Sequence, residues 1–212
     1  VFRMAIGAGV GAALHHSQST EAWVTNVPGL KVVMPSTPAD AKGLLKSSIR
    51  DDNPVVFFEH KLLYSRVKGP VPEGEYLIPL GKSDVKRVGE DLTIMAMGAM
   101  VHQALAAAEL LEKEGVKAEV VDLRTLVPLD RRGILDAVKK TGKVVIVHEA
   151  PTVGAFGGEV AAVIAEEGFY DLDAPIKRVG APFMPVPAHP LLEQSYLPNA
   201  EKIVAAAKEI LD

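Results

Sequence analysis

Residues 92–122 read LTIMAMGAMVHQALAAAELLEKEGVKAEVVD, and their pattern identifies the class of fold. Residues 92–97 are apolar apart from one threonine, as in a strand that is buried on both faces. Met100–Lys113 then carries apolar side chains at helical spacing and stops before Gly115, a residue type that commonly ends helices. Another mostly apolar run, Ala118–Asp122, follows at once. A buried strand, an amphipathic helix and a second buried strand predict a βαβ unit with parallel strands.

The same alternation continues towards the carboxyl end of the chain. The further elements predicted are a helix over 131–140, a strand over 144–148, a helix over 158–167, a strand over 176–179 and a helix over 200–211. Apolar strands that alternate with amphipathic helices indicate an α/β domain whose mostly parallel sheet is covered by helices on both faces. We assign this domain to residues 81–212.

The first part of the chain has a similar but shorter pattern. Residues 1–6 and 30–34 are predicted strands, and a helix begins near Ser36, where a capping hydroxyl precedes a proline in the first turn. A break at Asp51-Asp52-Asn53-Pro54 ends that helix, because the residue before proline avoids the α region. A buried strand over 55–58 follows. We therefore predict a first unit over 1–65 and a proline- and glycine-rich linker over 66–80.

Composition excludes several classes of function. The chain has 212 residues, a formal net charge of −4 and no cysteine. Its basic residues are scattered, so we expect neither a nucleic acid partner nor an anionic membrane partner. The longest apolar runs, such as residues 144–147, are too short to span a bilayer. Without cysteine the chain fits a reducing compartment, and we expect the cytoplasm, or the mitochondrial matrix in a eukaryote.

Residues 11–23, GAALHHSQSTEAW, place polar side chains directly after a glycine-rich run and leave several interpretations open. Residues 7–12 match the G-x-G-x-x-A pattern of dinucleotide-binding proteins, but no acid ends the next predicted strand to bind the ribose. His16 is a natural proton donor and acceptor with hydrogen-bonding neighbours. A polar turn without chemistry explains the same residues. A serine hydrolase is disfavoured, because Ser17 adjoins His16 and no nucleophile elbow is present.

Four other features have ordinary structural explanations. Glu59 follows a buried strand, where we expect it to form a salt bridge. Trp23 is expected to be packed in a core or interface, where an aromatic of that size contributes most. His102 faces either solvent or the neighbouring strand. Residues 154–158, GAFGG, are expected to form a turn that another part of the backbone approaches closely, rather than a phosphate site.

Five phrases of the sequence carry a resemblance to a known family. They are HHSQSTEAWVTNVPGLKVVMPSTPADAKGLLKSSIRDDNPVVFFEHKLLY, TIMAMGAMVHQAL, EVVDLRTLVPLD, GKVVIVHEA and GAFGGEVAAVIAE. In this order and spacing they resemble the beta subunit of thiamine diphosphate-dependent 2-oxo acid dehydrogenases, which act on pyruvate, branched-chain 2-oxo acids or acetoin. The resemblance implies a transketolase-like α/β fold, with the later part of a pyrimidine-binding domain over 1–65 and a transketolase carboxy-terminal domain over 81–212.

The resemblance also implies where the chemistry lies. The family histidine of the HSQ motif falls on His16, where it lines the active site and handles protons. The resemblance implies that the residues that bind the aminopyrimidine lie upstream of Val1. Residues 1–6 lack an initiator methionine and begin like a strand entered midway, so we expect the chain to be a fragment. The alpha subunit is expected to bind the diphosphate and its magnesium. No cofactor-binding residue is therefore assigned within the chain, and an amino-terminally truncated chain is expected to be inactive alone.

A potassium ion is a further implication of the resemblance. A helix end with free carbonyls beside carboxylates suits a hard cation, and a solvated helix end explains the same residues equally well. The potassium ligands that the resemblance implies are Ser48, Ile49, Asp51 and Asn53.

The implied activity is oxidative decarboxylation of a 2-oxo acid with reductive acylation of a lipoyl group. The implied partners are an alpha subunit, a second beta subunit and the dihydrolipoyl acyltransferase core, in a complex with two alpha and two beta subunits. Three alternatives remain: an acetoin dehydrogenase beta subunit, a module that only dimerises and docks the acyltransferase, and a stand-alone transketolase relative.

Overall fold

A computed structural model describes residues 1–211, which form two sheets covered by helices. In chain order the strands are β1 Phe2–Ile6, β2 Lys31–Val33, β3 Val55–His60, β4 Asp84–Arg87, β5 Leu92–Ala96, β6 Ala118–Asp122, β7 Thr125–Val127, β8 Val144–Pro151 and β9 Lys177–Ala181. The helices are α1 Ala13–His16, α2 Ala22–Thr25, α3 Pro38–Ile49, α4 Leu63–Arg66, α5 Met100–Lys113, α6 Arg131–Thr141, α7 Phe156–Glu167, α8 Pro190–Tyr196 and α9 Ala200–Lys208, with a short 3-10 helix at Phe169–Asp171.

The larger sheet has the strand order β4-β6-β5-β8-β9 and is parallel except for β4, which runs antiparallel to β6. Successive residues of its strands pack on opposite faces. Ile94 of β5 belongs to the core beneath α5 and α9, and its neighbour Met95 belongs to the core beneath α6 and α7. This two-sided burial explains the unbroken apolar runs and confirms the predicted α/β sheet covered by helices.

The smaller sheet has the order β1-β3-β2-β7. Strands β1, β2 and β3 are parallel, and β7 joins them by pairing antiparallel with β2, with Val127 opposite Val32. No sequence pattern indicated β7, because a three-residue strand has no periodicity of its own and depends on a partner far away in the chain. Through β7 the carboxy-terminal part of the chain completes the sheet of the first part.

Several predicted elements have the bounds that their patterns indicated, and others differ. α5 and β6 begin and end at the predicted residues, and Thr37 caps α3 by accepting a hydrogen bond from the amide of Asp40. Trp23 is not packed in a core of this chain, because its side chain, on the four-residue helix α2, is 75% exposed, and its burial in an interface stays a prediction. The short helix α8 was missed, because it offers only two turns of pattern.

Among the helices of residues 1–211, none combines the length and the apolar composition that crossing a bilayer requires.

Candidate functional site

The carboxyl ends of β1, β3 and β8 meet where the two sheets adjoin. The loop after β1 carries Gly7, Gly9 and Gly11, all with positive φ, a conformation that favours glycine. Gly7 packs closely against the ring of His60, and a Cβ on it would stand 2.1 Å from Nε2 of that ring. Glycine at this position is therefore required by both backbone conformation and close packing.

Glu149 of β8 is the centre of the hydrogen bonding at this junction. Its Oε1 accepts the amide proton of Ala8 at 2.8 Å and the hydroxyl proton of Ser19 at 3.0 Å. Its Oε2 lies 2.7 Å from Nε2 of His60. One buried carboxylate of the larger sheet thus binds three separate segments of the first unit.

The hydrogen bonds of His60 fix its tautomer. The amide of Leu62 donates to Nδ1 of His60 at 3.3 Å, so Nδ1 is the unprotonated nitrogen. Nε2 therefore carries the proton and donates it to Glu149. The bond is charge-assisted on the carboxylate side, which makes it stronger than a bond between neutral groups.

Two further carboxylates lie close to this junction. Glu193 of α8 accepts the amide proton of Gly11 at 2.9 Å through Oε2, and its Oε1 has no hydrogen-bond partner among the described residues. Glu21 is buried just before α2, with its Oε2 likewise unpartnered within residues 1–211. Burial, together with the nearby charge of Glu149, raises the pKa of Glu21 to about 7.

These contacts exclude the dinucleotide interpretation of the glycine-rich loop. A phosphate would need the free amides of that loop. The amides of Ala8 and Gly11 instead donate to Glu149 and Glu193, and carboxylates at these positions would repel a phosphate. The glycines serve close packing and the binding of these two acids.

His16 lies at the end of α1, and its exposed side chain lines an open cavity of about 480 Å³. The cavity wall is formed by Ala5, Leu14, His15, His16, Gln18, Thr20, Trp23 and Lys61. Lys61 is half-buried, and this burial lowers the pKa of its ammonium. The wall therefore combines imidazole, amide and ammonium groups and contains no carboxylate, an arrangement suited to an anionic or carbonyl-bearing ligand.

The four potassium-ligand candidates lie together at the end of α3, but their side chains are largely engaged elsewhere. Asp51 forms an ion pair with Lys31 and also accepts hydrogen bonds from the amide and side chain of Asn53. These hydrogen bonds lower the pKa of Asp51 to about 2, with that from Lys31 contributing most. The hydroxyl of Ser48 donates to the carbonyl of Leu44, and the side chain of Ile49 is exposed.

The remaining histidine and acid candidates are structural. Glu59 forms the expected salt bridge, with Arg3 at 2.7 Å. His102 bonds to the carbonyl of Ser36 through Nε2. His148 is fully buried, its Nδ1 donates to the carbonyl of Ala150, and burial lowers its pKa to about 4, so it is neutral at physiological pH.

Sequence reasoning missed the role of Glu149. The available signal was its position: His60 ends β3 and Glu149 lies near the end of β8, and the carboxyl ends of parallel strands are where α/β proteins place functional side chains. What the sequence did not indicate is that these two strand ends, which it places in different units, face each other.

Comparison with known proteins places this fold in a family. Residues 1–66 match the family described as transketolase, pyrimidine binding domain, and residues 81–203 match transketolase, C-terminal domain. A solved structure described as a split gene transketolase, an inactive beta4 tetramer, superposes with a TM-score of 0.81 at 29% identity and covers 99% of this chain and 66% of its own. The chain belongs to the family of proteins with a transketolase C-terminal domain.

Within this family the curated relatives narrow the resemblance to particular subunits. The chain is 53% identical to the 2-oxoisovalerate dehydrogenase subunit beta of Bacillus subtilis, over 100% of this chain and 65% of that protein. It is 49% identical to the acetoin:2,6-dichlorophenolindophenol oxidoreductase subunit beta of the same organism, over 99% of this chain and 61% of that protein. It is 48% identical to the pyruvate dehydrogenase E1 component subunit beta of Bacillus subtilis, over 99% of this chain and 64% of that protein. The chain thus spans somewhat less than two thirds of each relative, and the predicted likeness to these beta subunits is confirmed.

Proposed function

We propose that the chain functions in the beta subunit of a thiamine diphosphate-dependent 2-oxo acid dehydrogenase. The complex would decarboxylate a 2-oxo acid oxidatively and transfer the acyl group to a lipoyl group. The observation that carries this proposal is the position of His16, which lies in a pyrimidine-binding unit on the wall of an open cavity without carboxylates. The names and identities of the beta-subunit relatives support the choice of reaction.

The residues of the chain are compatible with the cofactor that the family implies. Thiamine diphosphate, when bound, supplies the carbon nucleophile for 2-oxo acid chemistry. The chain itself would contribute His16, whose imidazole holds or transfers a proton at the reacting oxygen, and Lys61, whose ammonium draws an anionic substrate towards the cavity. Magnesium and the diphosphate are assigned to the alpha subunit.

The proposed partners are an alpha subunit, a second beta subunit and the dihydrolipoyl acyltransferase core. A non-catalytic role in dimerisation and acyltransferase docking is the competing hypothesis. The two hypotheses differ in what His16 does, because a docking module has no need of an exposed imidazole on a cavity wall.

The test is His16→Ala in the native protein assembled with its alpha subunit, with His15→Ala as the matched control. The two histidines are adjacent and both exposed. Loss of a general acid or base lowers turnover by a factor of about 100 or more, so we expect this loss for His16→Ala and near-normal turnover for His15→Ala. Unchanged turnover of an intact His16→Ala complex would favour the docking role.

The substrate is identified by measuring turnover of the same complex with 2-oxoisovalerate, pyruvate and acetoin, the compounds in the names of its relatives. Reduction of an artificial electron acceptor separates the decarboxylation step from lipoyl transfer. Turnover of a ketose phosphate instead of these compounds would favour a transketolase.

We further propose a potassium ion at the end of α3. Since the carboxylate of Asp51 is engaged by Lys31, main-chain carbonyls would have to supply most of the ligands. Thermal unfolding in potassium chloride and in sodium chloride at equal ionic strength tests this proposal. A higher midpoint in potassium is expected, and identical midpoints would count against the site.

A further inference from the structure

We propose that Glu149 is a positioning residue that holds the segment bearing His16 in its working place. The inference rests on the proposed function and extends it, because it gives the domain over 81–212 a part in the chemistry of the first unit. Glu149 belongs to β8 of the larger sheet, whereas all three groups that it binds belong to the first unit.

The groups bound by Glu149 define where the His16 segment can lie. Ala8 is in the glycine-rich loop that leads into this segment, Ser19 is three residues beyond His16, and His60 ends the strand β3 beside it. Both sides of the segment are therefore fixed to one carboxylate. Glu193 adds a fourth bond, to the amide of Gly11.

The segment itself has little internal structure. α1 and α2 have four residues each, which is too short for a helix to be stable alone. Ala13, at the start of α1, has a φ of 52°, a conformation that an alanine rarely adopts without support. Contacts from outside must therefore maintain the position of His16.

Glu149, by contrast, is held rigidly. It lies in the last part of β8, between Val147, which pairs with both β5 and β9, and Pro151, which pairs with Ala181 of β9. The ring of the preceding residue, His148, is packed so closely between Gly157 and Gly180 that neither position has room for a side chain. The position of the Glu149 carboxylate is therefore set by the larger sheet, and its hydrogen bonds hold the loop in a fixed place relative to that sheet.

The chemistry of the junction requires a carboxylate and not an amide. All three partners of Glu149 are donors: the amide of Ala8, the hydroxyl of Ser19 and the Nε2 proton of His60. In Glu149→Gln, whichever way the amide turns, its own N–H faces either His60 or Ala8. His60 cannot relieve the conflict by changing tautomer without losing the bond from Leu62.

This donor conflict provides a rescue experiment. In His60→Gln the side-chain amide can still donate to Glu149 and only the long bond from Leu62 is lost, so we expect a small effect. In the double variant Glu149→Gln with His60→Gln, the carbonyl of residue 60 can accept from the amide of residue 149, so the junction is restored. The matched control is Glu119→Gln, a buried strand carboxylate that pairs with Lys140 away from this junction.

The measurements are made on the native protein assembled with its alpha subunit. Hydrogen–deuterium exchange followed by mass spectrometry reports on residues 7–20, with residues 92–96 of β5 as an internal reference. In Glu149→Gln we expect exchange in 7–20 to become about tenfold faster and turnover to fall about tenfold to a hundredfold with KM for the oxo acid nearly unchanged. The double variant and Glu119→Gln are expected to behave like the wild type in exchange and to keep most of the turnover.

Three results would overturn the proposal: unchanged exchange in 7–20, a double variant as impaired as Glu149→Gln, or equal loss in Glu119→Gln. If Glu149→Gln does not assemble, Ser19→Ala removes one donor from the loop alone and is subjected to the same measurements. If the wild-type complex turns over no oxo acid, the proposed function fails, but the exchange and rescue results still decide whether Glu149 holds the loop.

Discussion

The guanidinium of Arg124 lies 2.7 Å from Oδ1 of Asp40, and this contact joins the chain beyond β6 to the first turn of α3. Lys86 reaches the other oxygen of Asp40 at 2.6 Å, and both cations also contact Asp84. Asp122 completes the cluster from β6, 3.7 Å from Lys86. The two sheets are thus connected by a largely buried set of alternating charges as well as by β7.

Removing Asp40 should destabilise the protein strongly. Asp40→Ala leaves Arg124 with only the partly exposed Asp84, and Lys86 with Asp84 and the more distant Asp122. Breaking a buried pair in this way costs about 3 kcal/mol of unfolding free energy. The control is Asp136→Ala, whose carboxylate is 70% exposed and forms only a loose helical pair with Arg132. We expect a change of at most about 0.5 kcal/mol there. Equal effects in denaturant titrations would refute a special role for the cluster.

The effect of Asp40→Ala should depend on pH with a definite sign. Burial opposes ionisation of Asp40, but hydrogen bonds from Lys86 and Thr37 outweigh it and lower the pKa. A lowered pKa stabilises the folded state above the pKa of the unfolded chain, and this contribution is lost as pH falls through the folded value. The difference in unfolding free energy between the wild type and Asp40→Ala should therefore reach its full value above about pH 4 and become smaller in more acidic solution.

Asp122→Asn should change the pH dependence in the opposite direction. Burial raises the pKa of Asp122 to about 6, although the hydrogen bond from Ser36 and the charge of Lys86 partly compensate. A raised pKa means that stability is present below the unfolded value and is lost as pH rises through about 6. Asparagine avoids this loss, and it can still accept from the amide of Arg124 and donate to Ser36.

We therefore expect Asp122→Asn to gain about 2 kcal/mol of unfolding free energy relative to the wild type as pH rises from 4 to 7. Thermal or urea unfolding at a series of pH values measures this. Parallel pH profiles for the two proteins would show that Asp122 does not titrate in this range.

Sequence patterns predicted those strands and helices whose buried residues recur at regular spacing along the chain. The β5-α5-β6 unit could be predicted because each strand is buried on both faces and the helix has one apolar side. The strand β7 and the cluster around Asp40 could not, because both arise from pairing between residues far apart in the chain. The exposure of Trp23 could not be predicted either, because aromatic character alone does not specify whether a core or an interface covers a side chain.

The candidate site likewise has one part that the sequence could predict and one part that it could not. His16 was proposed through a resemblance that its neighbours in the HSQ phrase carry, and the proposed chemistry is that of a single side chain. The importance of Glu149 depends on three partners that are 141, 130 and 89 positions away in the sequence. Such a junction becomes visible only when the two sheets are placed side by side.

The two glycines at the start of α7 provide a last, closely matched test of packing. A Cβ at Gly157 would lie 2.3 Å from Cδ2 of His148, whereas one at Gly158 would meet only a nitrogen of Arg178 at 3.6 Å. Gly157→Ala must displace a buried ring and should cost about 2 kcal/mol of unfolding free energy. Gly158→Ala should be neutral or stabilise by up to about 1 kcal/mol, because alanine is the better helix former. Thermal unfolding of the two variants measures the contrast, and equal midpoints would contradict the close packing of His148 against α7.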